Sequence, residues 1–515
     1  MIVMLLLVII KSRGEIQVSS EIMGATTLKL KQPKAFYFIF FLELWERFGY
    51  YGMQALLVLY MSKVYHFSDD MAYGTFAVFS ALAYLTPMLG GYVGDQLLGY
   101  RRSLLLGGVL LTLGYILLAI PNDKSFFYLG LCMICVGNGL FKPNTNSLLG
   151  KVYGHNDPRL ESGFTLFYMG INIGSLLAMS IVGYVQEAFG WPIAFSLSAI
   201  GLTLGLTIFL MFMGIIKNVG SKPDLHKLDK SILPKFILGL GLTIGLVYLL
   251  LHKITLANIV LSFTDAIVGV IFVYLLMRTQ GEERRKLLAS LLLILLSITF
   301  FALYWQMPMS INLFTERNVD HHLFGFYIPT ASFQSLNPFW IFVLSPILSI
   351  AYQKTAVKGM NPSIPTKFAV GLILIGISFL ILKLCTFYAD HAYQVSAWWV
   401  VVSYLLGAFA ELLVSAIGLA MITKLAPPRL LGFMMGTWFL GTAAGAAFGG
   451  QIAKLASIPS NLVDPAKSLH IYGNVFLEYG IFTCIIGIIA LFFVNKIRDL
   501  MGEKKVAFQK PITHI

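Results

Sequence analysis

The chain has 515 residues, of which 57% are hydrophobic and 12% charged, with a formal net charge of +13. Soluble domains carry roughly 25% charged residues, so this composition excludes a soluble enzyme or nucleic-acid-binding module and identifies an all-α polytopic membrane protein. The positive charge must then be explained by where Lys and Arg sit along the chain.

Met1 to Ile10 is apolar but too short to span a bilayer, and Lys11 and Arg13 follow it where a secretory signal would have them precede it. Residues 1–34 are therefore read as an N-terminal tail, with Met23, ahead of the basic stretch Lys29 to Lys34, as an alternative start. Beyond the tail, fourteen apolar stretches are long enough to cross about 30 Å of hydrocarbon. If the first begins inside, 28 of the 37 Lys and Arg fall in cytoplasmic tails and loops and seven near the outer face, with Arg47 and Lys142 within the membrane. That bias accounts for the net charge without an anionic or nucleic-acid partner. The spans divide into a six-helix bundle at 35–217, a linker with two additional helices at 218–285, a second six-helix bundle at 286–496 and a cytoplasmic tail at 497–515. Paired bundles around a central site are a common transporter architecture.

The first span, 35–62, holds Glu43, Glu46 and Arg47 in apolar sequence. A charge at mid-bilayer costs on the order of 2.5–3.5 kcal/mol, so such residues are expected to face a polar cavity and act there. At 100° per residue they share a stripe with Tyr50, Tyr51 and Gln54. Glu43 and Arg47, four apart with the acid first, are the favoured intrahelical pair, whereas Glu46 and Arg47 diverge by about 100°. After the second span comes Gly90-Gly91-Tyr92-Val93-Gly94-Asp95-Gln96-Leu97-Leu98-Gly99-Tyr100-Arg101-Arg102. Its glycines allow close approach of helix ends, and Asp95 is expected to pair with Arg101 and Arg102. The loop looks like the gating loop of the major facilitator superfamily.

Farther on, Gly137-Asn138-Gly139-Leu140-Phe141-Lys142-Pro143 offers an ammonium on a proline-kinked helix. Cys132-x-x-Cys135 lies in the same span with no soluble redox context or metal partner, and reads as two buried small residues. Asp265, in the second inserted helix, is expected to make a structural hydrogen bond. Glu411 and Ser415 sit one turn apart in an apolar helix, and the carboxylate there should seek a cation, Lys142 or Arg47 being available. No His-Glu-x-x-His, Gly-x-Ser-x-Gly or Walker-type sequence occurs, so neither catalytic residues nor a metal site are assigned.

Taken in order, Glu43-x-x-Glu46-Arg47-Phe48-x-Tyr50-Tyr51-Gly52, the Asp95 loop, Lys142-Pro143, Phe167-Tyr168-Met169-x-Ile171-Asn172-x-Gly174-Ser175, Phe333-Gln334-Ser335-Leu336-Asn337-Pro338 and Glu411-Leu412-x-x-Ser415-x-Ile417-Gly418-Leu419 carry a resemblance. The chain resembles the proton-coupled oligopeptide transporter (POT) family from about residue 35 to 496. That resemblance implies a major facilitator fold with two inserted helices, in a bacterial cytoplasmic membrane with both termini inside. It implies proton-driven symport of di- and tripeptides, with the proton as coupling ion and no other cofactor, and no oligomer is required. A same-fold carrier of nitrate, a modified peptide or another small solute is the alternative.

By the same resemblance Glu43, Glu46 and Arg47 form the proton-coupling cluster, and Lys142 and Glu411 span the two bundles, receive the peptide's charged ends and take part in gating with Asp95, Arg101 and Arg102. Arg47, Tyr51, Tyr84, Tyr168, Asn172, Trp305, Asn337, Ser415 and Trp438 resemble residues of the peptide site. Fixed charges and amides can read a peptide's termini while aromatic walls tolerate its side chains. In two places the chain departs from the pattern. Gln54 stands where many members have an arginine, and no acid occurs between Glu283 and Glu316 to close against it; Ala77 also replaces the second-helix histidine of animal members. Outer closure is then expected from packing around Trp305 and Gln306, or from Glu316, Arg317 and Asp320.

Overall fold

The computed structural model describes residues 31–120, 123–153, 157–227, 231–357, 361–459 and 464–502. The N-terminal tail up to residue 30, with the alternative start at Met23, and the tail beyond 502 lie outside the described residues. Helices dominate: α1 (Lys34–Lys63), α2 (Asp69–Tyr92), α3 (Tyr100–Ala119), α4 (Lys124–Val152), α5 (Leu160–Phe189), α6 (Trp191–Phe212), α7 (Ile232–His252), α8 (Ile254–Arg278), α9 (Gly281–Tyr304), α10 (Ser310–Asn318), α11 (Leu336–Val357), α12 (Ile364–Cys385), α13 (Ala397–Leu425), α14 (Leu431–Ala453) and α15 (Pro465–Met501). Among the described residues, thirteen helical segments are long and apolar enough to cross a membrane. The first helix, α1, is as long as these, and Glu43, Glu46 and Arg47 are what keep it out of an apolar count. With α1, fourteen helical segments of spanning length stand among the described residues where the apolar stretches predicted them.

One span is discontinuous where a single helix was expected over 286–313. Helix α9 ends at Tyr304, residues 305–309 form turns, and the short α10 resumes at Ser310. Pro308 explains the break, because it lacks an N–H and pushes the preceding residue out of the helical region. The all-α expectation needs a small amendment as well. Beyond α10, Val319–Asp320 (β1) pairs in parallel with Val395–Ser396 (β4), and His322–Leu323 (β2) forms a hairpin with Phe326–Tyr327 (β3).

Helices α1 to α6 pack mainly on one another, as do α9 to α15, with α2 against α14 among the contacts between the two groups. Of the inserted pair, α7 lies against α4 and α8 against α14. Both bury few side chains, Val247, Leu250 and Leu251 on α7 and Ala257, Leu261 and Phe272 on α8, so their apolar surfaces suit lipid. Asp265 on α8 receives no hydrogen bond or ion pair among the described residues, contrary to expectation. Cys132 and Cys135 are buried free thiols, the first donating to Ile244 O and the second to Phe79 O, as small buried residues should.

Close packing of α2, α3 and α4 depends on small residues. A Cβ on Gly90 would lie 1.9 Å from Gly139 O, and one on Gly137 would lie 2.8 Å from Gly107 O. Gly137→Ala should therefore force α3 and α4 apart at a cost of about 1–3 kcal/mol. A melting temperature in detergent equal to the parent's would contradict this contact.

Tyr153 and Arg159 both hold the residues just before α1. Arg159 donates to Lys31 O, and Tyr153 Oη donates to Gln32 Oε1. Hydrogen bonds from Arg159 hold the Asp157 carboxyl down to about 2, so this pair is intact at ordinary pH and is lost only as pH falls toward that value.

Candidate functional site

Helix α1 brings its ionisable stripe into the interior, where Glu43, Glu46 and Arg47 are all nearly inaccessible. The expected Glu43–Arg47 ion pair is present, but Glu46 makes the hydrogen bonds. Arg47 Nη2 and Nε donate to the two carboxylate oxygens of Glu46 at 2.7 and 2.5 Å, whereas Glu43 Oε1 is 3.6 Å from Nε, beyond hydrogen-bond range. Neighbouring residues leave the helix about 100° apart, but the length of the arginine side chain lets its fork turn back to a carboxylate, and a two-pronged bond outweighs the helical preference. Helix α4 holds that turn in place: Asn138 Oδ1 accepts from Arg47 Nη2 at 3.1 Å, and Asn138 Nδ2 is anchored on Ala83 O of α2. Asn138 was given no role in the sequence, although its place one turn before Lys142 could have suggested one. Among the described residues Glu43 Oε2 has no hydrogen-bond partner.

The arginine also lies 5.9 Å from the Tyr51 ring centroid, and Tyr51 reaches a cavity of about 80 Å³ between the two helix groups. Of the expected peptide-site residues, Tyr51, Tyr168, Asn172, Asn337 and Glu411 line this cavity together. Gln54, Gln334 and Tyr304 also line it; Tyr304 was missed, since one aromatic among many in a span carries no signal of direction. Glu411 meets no cation there. Its Oε2 accepts from Asn337 Nδ2 at 2.9 Å, a neutral partner across α11 and α13, because the cationic side chains belong to the opposite helix group.

The remaining expected site residues stand apart from this wall. Lys142 Nζ lies 5.5 Å from the Tyr84 ring centroid, and Tyr84 meets Trp305 edge-on at 5.9 Å. Among the described residues no ion pair joins Lys142 to Glu411. Trp438 is buried against Gly418, where a Cβ would come within 1.9 Å of its ring, and packs on Phe301. Neither Trp438 nor Ser415 is among the cavity-lining residues.

Residues Val93–Leu97, expected as part of a loop, form a π-helical turn that continues α2, and the pairing around it also differs from expectation. Asp95 accepts from Tyr100 Oη at 2.5 Å instead of pairing with the arginines. Arg101 turns to Asp224, whose carboxylate caps α3 by accepting from Tyr100 N at 2.7 Å and Arg101 N at 3.2 Å. Arg102 donates to Leu98 O, Pro223 O and His226 O. A buried carboxylate at a helix N-terminus satisfies both its free N–H groups and its dipole, so the linker residue Asp224 outcompetes the nearer Asp95 for Arg101. Nothing in the sequence around Asp224 announced this.

At the face carrying residues 64–68 and 454–459, side chains tie the two helix groups together. Arg317, at the end of α10, holds Asp69, at the start of α2, through two bonds of 2.6 and 2.8 Å. Tyr472 Oη accepts from the same guanidinium at 2.8 Å, and Ile458 N donates to Asp69 at 3.0 Å. Lys63 meets Glu316 at 2.5 Å, and Gln334 Nε2 donates to Ala55 O at 3.1 Å. Of the outer-closure residues expected, Glu316 and Arg317 therefore bridge the groups. The Asp320 side chain bonds its neighbour His322, and Gln306 donates to Ala302 O and Gly449 O within its own group. Asp69 was not foreseen, because its partner lies 248 residues away.

The POT family model matches residues 101–470. The chain is 43% identical over 469 residues to the dipeptide and tripeptide permease A of Erwinia pyrifoliae, covering 91% of this chain and 95% of that one. It is 42% identical over 474 residues to the permease of the same name from Escherichia coli K12, covering 92% and 94%. Among solved structures, tetrameric PepTSo2 superposes with a TM-score of 0.82 at 35% identity, covering 90% of this chain and 99% of that one. A bacterial homologue of the human drug peptide transporters PepT1 and PepT2 gives a TM-score of 0.81 at 34% identity, again over 90% and 99%. With the family match extending over more than half of the sequence and these relatives over nine-tenths of it, the chain belongs to the POT family.

Proposed function

We propose that this protein imports di- and tripeptides by proton-driven symport, its two six-helix groups, 35–217 and 286–496, alternating about the central cavity with 218–285 as linker. The observation that carries the reading is the continuity from the buried Glu43, Glu46 and Arg47 cluster through Tyr51 to a cavity whose far wall bears Glu411. Such a site offers an acidic anchor for an ammonium and, when a glutamate is protonated, the Arg47 guanidinium for a carboxylate, with Asn172, Asn337 and Tyr168 available to backbone groups. Its coupling ion is the proton, carried by the glutamates. Positive-inside bias supports placement in a bacterial cytoplasmic membrane with both termini inside, which makes the face closed by Asp69 and Arg317 the outer one. Asp95, Arg101 and Arg102 then belong to the inner gate, while Lys142, Tyr84, Trp305, Ser415 and Trp438 would reach substrate as the groups move.

Proteoliposomes under an imposed pH gradient test this directly. Labelled dialanine should accumulate saturably, and unlabelled di- and tripeptides should compete while free amino acids and nitrate do not. Competition by nitrate alone would overturn the peptide reading.

Lys142→Ala and Glu411→Ala should each lower uptake about tenfold to a hundredfold, from the ~1.5–3 kcal/mol of a hydrogen bond to a charged group. If Glu411 holds the amino terminus, N-acetyl dipeptides compete poorly with the parent and lose little more in Glu411→Ala. Equal proportional losses for capped and free peptides would reject that assignment.

A further inference from the structure

Gln54 has no role in the coupling cluster, and the acid that would make its position a gate is missing from the chain. Its side chain is 6% exposed, lines the central cavity, and has Oε1 without a hydrogen-bond partner among the described residues. A buried amide oxygen left unpaired is unfavourable, so a group held this way in a binding cavity is poised for a partner that enters it.

Helix geometry places Gln54 at the outward end of that cavity. Helix α1 runs toward the closed face, with Gln54 one turn beyond Tyr51. Helix α13 runs the other way, so its Glu411 lies about 10 Å inward of Tyr404 at ~1.5 Å per residue. Helix α5 contributes Ser175 and Met179 beyond Asn172, and the break between α9 and α10 contributes Met307. Gln334, which bonds Ala55 O, closes the end. This part of the wall contains no acid and no base, since Glu411 at the inward end is the single carboxylate or cation among the lining residues.

We infer that the outward end of the cavity, built from Gln54, Ser175, Met179, Met307 and Gln334, is a side-chain subsite that selects neutral, hydrogen-bonding peptide side chains of the glutamine type. The inference rests on the peptide-transport reading above. Two flexible thioethers adapt to an unbranched methylene stem, and the Gln54 amide takes up the polar tip. A lysine or glutamate side chain would be brought into the same space without a counter-charge, which a neutral wall cannot repay. An extended peptide advances only ~3.3–3.6 Å per residue, so a terminus held near Glu411 leaves a long side chain within reach of Gln54.

The test is competition against labelled dialanine by Gln-, Met-, Lys- and Glu-containing dipeptides, substituted at either position. It is run on the parent, Gln54→Met and Gln54→Glu, and read as ratios of inhibition constants. Binding of the same peptides in detergent, followed by thermal shift, serves where a variant transports poorly. In the parent, a Gln peptide should bind at least about tenfold better than its Lys and Glu counterparts. Gln54→Met, close in shape but without the amide, should lower the Gln-to-Met ratio about fivefold to tenfold. Gln54→Glu should shift preference toward the Lys peptide. If the parent takes up dialanine but the ratios are the same in all three proteins, Gln54 binds only water or serves another state, and the subsite is overturned. If the parent takes up no peptide, the transport reading fails and the subsite falls with it.

Discussion

Glu43→Gln should bring gradient-driven accumulation of a labelled dipeptide down from about 50-fold to about unity while leaving peptide counterflow largely intact. One proton moving through 100 mV supplies about 2.3 kcal/mol, which corresponds to roughly 50-fold accumulation of a neutral zwitterion. Two carboxylates beside a single guanidinium cannot both be fully compensated. Glu46 occupies both prongs of Arg47, and Glu43, 3.6 Å away with one oxygen unpartnered, is the group free to gain and release a proton. Counterflow needs binding and reorientation without net proton movement, so it should survive loss of that group. Glu46→Gln should behave differently. It removes the fork that orients Arg47, so counterflow and driven uptake should fall together. Both assays on the same proteoliposomes separate the two glutamates, and full driven uptake by Glu43→Gln would place coupling elsewhere.

Arg317→Met should reduce uptake at least about tenfold and open the expected outer face. Asp69 is 3% exposed and would lose the two bonds that compensate its charge there. Removing the partner of a buried carboxylate costs up to ~3–5 kcal/mol, more than the more exposed pair of Lys63 and Glu316 contributes. The equilibrium between the two orientations should move away from the closed outer face by a comparable amount, trapping the carrier. A cysteine at Ser332, buried beside Ser180 in the closed arrangement, should then react faster with an impermeant thiol reagent from outside. Adding Asp69→Asn removes the stranded carboxylate and should restore part of the uptake. Strict additivity of the two changes, with unaltered labelling, would show that the pair does not govern closure.

Much of this protein was determined by local sequence alone. The membrane class, the fourteen spans and the burial of Glu43, Glu46 and Arg47 follow from chain length, apolar runs and the cost of placing charge in hydrocarbon, each a property of a short window. The small residues that let α2, α3 and α4 touch were legible for the same reason, because Gly137 and Gly139 lie beside Lys142 in one helix. Partner choice was decided only by the tertiary structure. Helical spacing favoured Glu43 for Arg47, and that ion pair forms, yet with Asn138 on α4 beside it the guanidinium gives its hydrogen bonds to Glu46. Proximity favoured Asp95 for Arg101, yet the folded linker delivers Asp224 to the start of α3. The missing acid opposite Gln54 left the outer closure open to several readings, and Asp69 meets Arg317 there across 248 positions of sequence. Side-chain reach is several ångströms while sequence separation is unlimited, so which charges can exist inside the protein is a local question, and which of them meet depends on how the helices pack.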